Sequence, residues 1–192
     1  MKEDTRDKIL ISALNVFSRN NYHAASMTMI AEEAGVSKGT LYWHFESKEE
    51  LFRELVINGL DYFSQRFKEI ASEDISAQEK IYEVISFGVK ILVENSRMAN
   101  ILRNNVQLIS EDFKKRVEAK HEENVEIFTE IVEQGMNEEL IEKNNARRTA
   151  VMMMVVLFTS NANWLLDEIS DTEEQVEYIY NFLMNGICRK EN

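Results

Sequence analysis

Apolar residues recur every three or four positions along most of this chain, and no segment alternates with the two-residue period of a strand. The first stripe, Ile9, Leu10, Ala13, Leu14, Val16 and Phe17, predicts a helix from about Thr5 to Asn20. Ile30, Ala31 and Ala34 predict a short second helix, and Leu41 with Phe45 a short third. Ser26 and Ser37 stand where N-caps belong, because a serine hydroxyl accepts an orphan backbone N–H of the first turn. Gly35 lies between the two short helices, where the chain must turn and a residue tolerant of positive φ is favoured. A long fourth helix is expected over 47–70. It opens on the capping pattern Ser47-x-x-Glu50 and continues with Leu51, Leu55, Leu60, Phe63 and Phe67 on one side. After the polar connector ASEDISA come helices over 77–95, one or two shorter ones over 97–110, and longer ones over 112–135, 145–168 and 172–189. The fold class is all-α.

Two short helices joined by a tight turn make a helix-turn-helix, whose second helix can enter the major groove of DNA. The outward residues suit that role. Lys38 is cationic at the start of the recognition helix. Gly39 leaves room for close backbone approach. Thr40 offers a hydroxyl to a base or phosphate and a methyl to thymine. Tyr42 and His44 can donate to phosphate oxygens. Lys48 starts the next helix, where backbone N–H groups and a positive charge favour a phosphate. The expected DNA-contacting set is Ser26, Thr28, Ser37, Lys38, Gly39, Thr40, Tyr42, Trp43, His44 and Lys48. The plainer alternative is a three-helix bundle with an aromatic-rich corner.

Residues 6–56 resemble the N-terminal domain of the TetR (tetracycline repressor) family of transcriptional regulators. The matching segments are RDKILISALNVFSRNNY, HAAS, IAEEAGVSKGTLYWHF and SKEELFREL. GTLYWHF followed by SKEEL is the most specific part. Asn21 and Ala25 depart from the Gly and the Thr or Ser often found there. The resemblance implies a three-helix DNA-binding domain over residues 1–48 and a larger helical ligand-binding and dimerisation domain over 49–192. The fourth helix (47–70) links them. It also implies a double-stranded, palindromic operator and a homodimer in which the last two helices pair with their copies.

Composition adds limits. The 192 residues include no proline and six glycines, which favours helix. The longest apolar run, Ala150 to Phe158, is too short to span a bilayer, which takes about 20 residues. With the charged N-terminus and a single cysteine, Cys188, this suggests a reduced, cytoplasmic protein with no membrane partner. The net charge is −12, yet residues 1–48 carry six basic and six acidic residues. The acidic excess therefore belongs to the body, where it discourages non-specific contact with DNA or simply keeps the protein soluble.

Nothing reads as an active site, a metal site or a cofactor site. His23, His44 and His121 are scattered, and His121-Glu122-Glu123 lacks the second histidine of a zinc helix. The body is rich in Met and Phe, which suits either a core or an adaptable pocket. The expected lining of a small-molecule effector site is Phe63, Phe67, Phe87, Ile91, Arg103, Gln107, His121, Asn124, Phe128, Met153 and Trp164. The implied function is a ligand-responsive regulator, a repressor released by a small apolar or amphipathic molecule. The alternative keeps the helix-turn-helix and places a protein partner on the acidic body. On the final helix Val176, Tyr180, Leu183 and Ile187 share one face, expected to meet the second subunit or, in a monomer, the core.

Overall fold

The computed structural model describes residues 5–20, 22–104, 111–158 and 171–187; over 92–104 and at 158 and 187 it describes the backbone only. The described residues form eight helices and no strand. They are α1 (Thr5–Arg19), α2 (Met27–Ala34), α3 (Lys38–His44), α4 (Lys48–Ser72), α5 (Ala77–Asn104), α6 (Glu111–Asn137), α7 (Ala146–Phe158) and α8 (Thr172–Ile187). One expected break is absent. The helix predicted to end near 95 continues without interruption to Asn104. Glu94 to Asn104 contain no glycine or proline, so nothing in the backbone forces a stop.

The chain forms two compact units. The first takes in Met1–Asp61 and Arg97–Val117, and the second Tyr62–Ser96 and Glu118–Asn192. In the first unit Ile9, Ala13, Phe17, Ile30, Leu41, Phe45 and Leu51 are fully buried in one core. Burying each of the Ile, Leu and Phe side chains is worth about 1.5–3 kcal/mol, which fixes helices that would be marginal alone. Phe17, Tyr22 and Phe52 close this core with ring centroids 5.0–5.7 Å apart.

In the second unit the later parts of α4 and α6 lie side by side with α5, α7 and α8. Phe67 meets Phe128, and farther along Gln134 Nε2 donates to the Ile75 carbonyl at 2.9 Å. The pairings advance in the same direction, so α4 and α6 run parallel here. A polar network running from the buried Lys80 to the exposed Glu138 closes this end. Lys80 Nζ donates to the Ala71 carbonyl at 2.7 Å and to Gln134 Oε1 at 2.8 Å. Glu138 accepts from Gln134 Nε2 at 2.6 Å and from the Ala77 backbone N–H at 2.9 Å. Lys80 Nζ thus has two acceptors although the residue is only 6% exposed.

Candidate DNA-binding interface and effector site

The helix-turn-helix is assembled from local chemistry. Ser26 Oγ accepts from the Met29 N–H at 3.2 Å and caps α2. Gly35 ends that helix at φ 62°, and the N–H groups of Gly35 and Val36 bond the Glu32 and Ala31 carbonyls. Ser37 Oγ then accepts from the Thr40 N–H at 3.0 Å and caps α3. Leu41 and Phe45 are fully buried, which turns the opposite side of α3 outward. Lys38, Gly39, Tyr42 and Trp43 are exposed there, Trp43 at 81%. A Cβ on Gly39 would meet nothing nearer than Ser37 Oγ at 3.7 Å, so the fold itself does not require glycine at that position. An indole this exposed at the surface of a short helix is unusual for a monomer and suits contact with a partner.

Other members of the expected set are held differently. Thr40 is half-buried, and its hydroxyl shares a 2.8 Å hydrogen bond with Ser37 Oγ. Thr28 is half-buried. His44 is half-buried, with its ring edge-on to Trp43 at 4.6 Å. Lys48 departs most from expectation. Its ammonium turns back toward the α1–α2 connector and donates to the carbonyls of Tyr22 at 2.7 Å and Ala25 at 2.8 Å, with His23 at 3.5 Å. It also lies 4.4 Å from the centre of the Tyr22 ring. Burial pushes the Lys48 pKa down from its ordinary value and the Tyr22 pKa up. In this geometry Lys48 ties the start of α4 to the loop that precedes α2.

The second unit holds an aromatic array. Phe63, Phe67 and Phe87 lie with centroids 5.6–6.3 Å apart, and Phe67 meets Phe128 edge-to-face at 5.1 Å. Met153 is buried in the same core and Ile91 is half-buried. Three buried polar side chains of this unit hold atoms without hydrogen-bond partners, Gln175 on α8 with both its amide atoms, and Ser64 and Asn124 within one turn of these rings in sequence. Ser64 Oγ and Asn124 Oδ1 are buried and make no hydrogen bond. Among the described residues no three His, Cys, Asp or Glu side chains gather as metal ligands would.

Residues 9–55 match the N-terminal domain described as bacterial regulatory proteins, tetR family. Residues 74–187 match the tetracyclin repressor-like C-terminal domain. The chain belongs to the TetR family. It is a DNA-binding transcriptional regulator with a helical ligand-binding domain. Among its relatives, the fatty acid metabolism regulator protein of Bacillus subtilis is 24% identical over 185 residues, covering 95% of each chain. The regulator UidR of Escherichia coli is 33% identical over 129 residues, 60% of this chain and 65% of that one. In the solved structures, FadR from Bacillus subtilis in complex with stearoyl-CoA superposes with a TM-score of 0.75 at 24% identity, over 94% of this chain and 98% of that one.

In this TetR-family chain the expected effector residues fall into three groups. Phe63, Phe67, Phe87, Phe128, Asn124, Ile91 and Met153 belong to the core of the second unit or its margin. His121 does not: it is exposed. No residue from Lys114 to Glu123 is buried, so this stretch of α6 precedes the level at which the helix enters the core at Asn124. The Arg103 side chain, Gln107 and Trp164 lie outside the described residues. Ser64 was not expected. Its only sequence signal is a small polar residue on the Leu60, Phe63, Phe67 side of α4, where an apolar one would normally stand.

For the final helix the structure favours the second of the two expected assignments, the core. Val176 and Leu183 are already buried inside one chain. Among the described side chains, the large apolar residues that α7 and α8 leave exposed are Val151, Met152, Val155, Tyr178 and Phe182. Met152, Val156 and Phe182 help line an open groove of about 800 Å³ on this face.

Proposed function

We propose that this chain is a homodimeric repressor that leaves a palindromic operator when an amphipathic molecule with a long acyl chain enters its second unit. The observation that carries this reading is the contiguous aromatic array of Phe63, Phe67, Phe87 and Phe128 in a core whose fully buried members are otherwise mostly aliphatic and Met side chains. Such a lining offers a flexible hydrocarbon chain adaptable apolar contact and little else. The fatty acid regulator related over almost its full length supports the same class of effector.

The exposed side of α3 supports the DNA half of the proposal. Lys38, Gly39 and Tyr42 stand where a recognition helix reads base edges and phosphates, with Trp43 beside them. A dimer would set two such helices about 34–36 Å apart, or a multiple of that, to match successive major grooves. The exposed apolar residues of α7 and α8 supply a self-complementary face. An effector acts only if it prefers one arrangement of the chain over the other. α4 is the natural carrier of that preference, because the same helix starts at the Lys48 clamp and passes Phe63 and Phe67.

The test starts from DNA selected out of a random library by the purified protein. Stearoyl-CoA at micromolar concentration should weaken binding to the selected sequence at least tenfold, and free coenzyme A should not. Unchanged DNA affinity with both stearoyl-CoA and stearic acid would reject the acyl effector, and a protein partner on the acidic body would become the better reading.

A further inference from the structure

The buried polar atoms of Ser64 and Asn124 have no role in the packing just described. Phe67 on α4 and Phe128 on α6 touch at 5.1 Å. Ser64 is three residues before Phe67 and Asn124 four before Phe128, so each lies one turn earlier on the same face of its helix. The parallel course of α4 and α6 brings those two turns to the same level of the core. Ser64 is 2% exposed and Asn124 5%. Neither Ser64 Oγ nor Asn124 Oδ1 has a hydrogen-bond partner. A buried polar atom left unpaired costs about 1–3 kcal/mol, and two on neighbouring turns beside the aromatic array call for a reason. Alanine and leucine would pack there without that cost.

We infer that Ser64 and Asn124 form the polar anchor of the effector site. Resting on the acyl reading above, the inference assigns them the junction between the chain and its polar head. Ser64 Oγ–H donates to the acyl carbonyl oxygen. Asn124 Oδ1 accepts from an N–H or O–H a few bonds farther along the same molecule. A thioester or amide of a long-chain acid attached to an amide-bearing carrier supplies both groups. The aromatic array then receives the hydrocarbon. The apo protein bears the cost of two unsatisfied atoms, and the ligand removes it on binding. Affinity therefore depends on the head as well as the chain, and a plain hydrocarbon of equal length should bind poorly.

The experiment compares stearoyl-CoA with S-octadecyl-CoA, a thioether that lacks the carbonyl oxygen, by titration calorimetry on the full-length chain. The wild type should bind stearoyl-CoA about tenfold more tightly than the thioether. Ser64→Ala should bind the two equally, at the thioether's affinity. Asn124→Leu should weaken both by a similar factor. Both variants should unfold at the same temperature as the ligand-free wild type or higher, because each removes an unpaired buried atom. That last result separates an anchor from an ordinary structural residue, whose loss would lower the transition. A wild type that binds both molecules equally, or a Ser64→Ala variant that still discriminates, overturns the anchor while leaving the acyl reading intact. Such a result would mean that the two atoms hold only buried water. A wild type that binds neither molecule overturns the acyl reading itself and the anchor with it. Should Asn124→Leu fail to fold, the Ser64→Ala comparison alone decides.

Discussion

Tyr42 and Lys48 both read as phosphate contacts in the sequence, and the structure gives them different surroundings. Tyr42 is half exposed on the outer side of α3. Lys48 satisfies carbonyls of the α1–α2 connector with its ammonium. The two should therefore separate in solution. Tyr42→Ala should leave thermal stability unchanged, weaken binding to all DNA sequences alike, and reduce the slope of log affinity against log salt if the hydroxyl orders a neighbouring cation at a phosphate. Lys48→Met keeps the apolar stem but leaves the Tyr22 and Ala25 carbonyls unpaired. It should cost about 1–2 kcal/mol of stability, since hydrogen bonds to a charged donor are among the stronger ones. Denaturant unfolding of both variants beside salt-dependent DNA titrations checks the contrast. An unchanged unfolding midpoint for Lys48→Met would mean that the clamp contributes nothing to the fold.

Among the elements, α6 shows most clearly how a helix end is set by its neighbours. The helix expected over 112–135 runs past Gly135 to Asn137. The need for glycine there is steric. A Cβ at Gly135 would lie 2.7 Å from Ile141 Cδ1 and 3.0 Å from Ile141 Cγ1. The Gly135 carbonyl also accepts the N–H groups of Leu140 and Ile141, at 2.9 and 3.0 Å, which holds the returning chain against the helix. Alanine is the better helix former by about 1 kcal/mol, but overpacking a core costs about 1–3 kcal/mol. Ile141 is 1% exposed and has little room to yield. Gly135→Ala should therefore be destabilising, and adding Ile141→Val, which removes the nearest methyl, should recover most of the loss. Unfolding midpoints of the single and double variants measure this directly. A more stable Gly135→Ala would show that Ile141 moves aside freely.

At the scale of the whole molecule, the decisive feature is the apolar surface that one chain leaves uncovered on α7 and α8. Phe182 is 62% exposed and Met152 61%. Leu183, next to Phe182 in sequence, is buried in the core of its own chain. The wild type should sediment as a dimer at micromolar concentration. Phe182→Glu should sediment as a monomer with nearly unchanged unfolding, whereas Leu183→Arg should lose the fold, because an unpaired charge in a core is very costly. A wild type that is monomeric at that concentration would remove the dimer from the proposal. Paired recognition helices would go with it.

The sequence by itself determined the helical content, the two serine caps, the glycine turn at Gly35 and the outward side of α3. All of these follow from spacing within one short segment, and backbone hydrogen bonds within a helix obey the same local rule. Which apolar stripe of α8 faces inward was left open. Only the tertiary structure turned Val176 and Leu183 into its own core and left Tyr178 and Phe182 outside. It also exposed His121, drew Lys48 onto the α1–α2 connector and buried Ser64 and Asn124 without hydrogen-bond partners for Ser64 Oγ and Asn124 Oδ1. Periodicity shows that a helix has an apolar side, but burial depends on what another element places against that side. Such contacts join residues far apart in the chain, Lys48 with Ala25 and Phe67 with Phe128, a separation at which no local pattern carries the information.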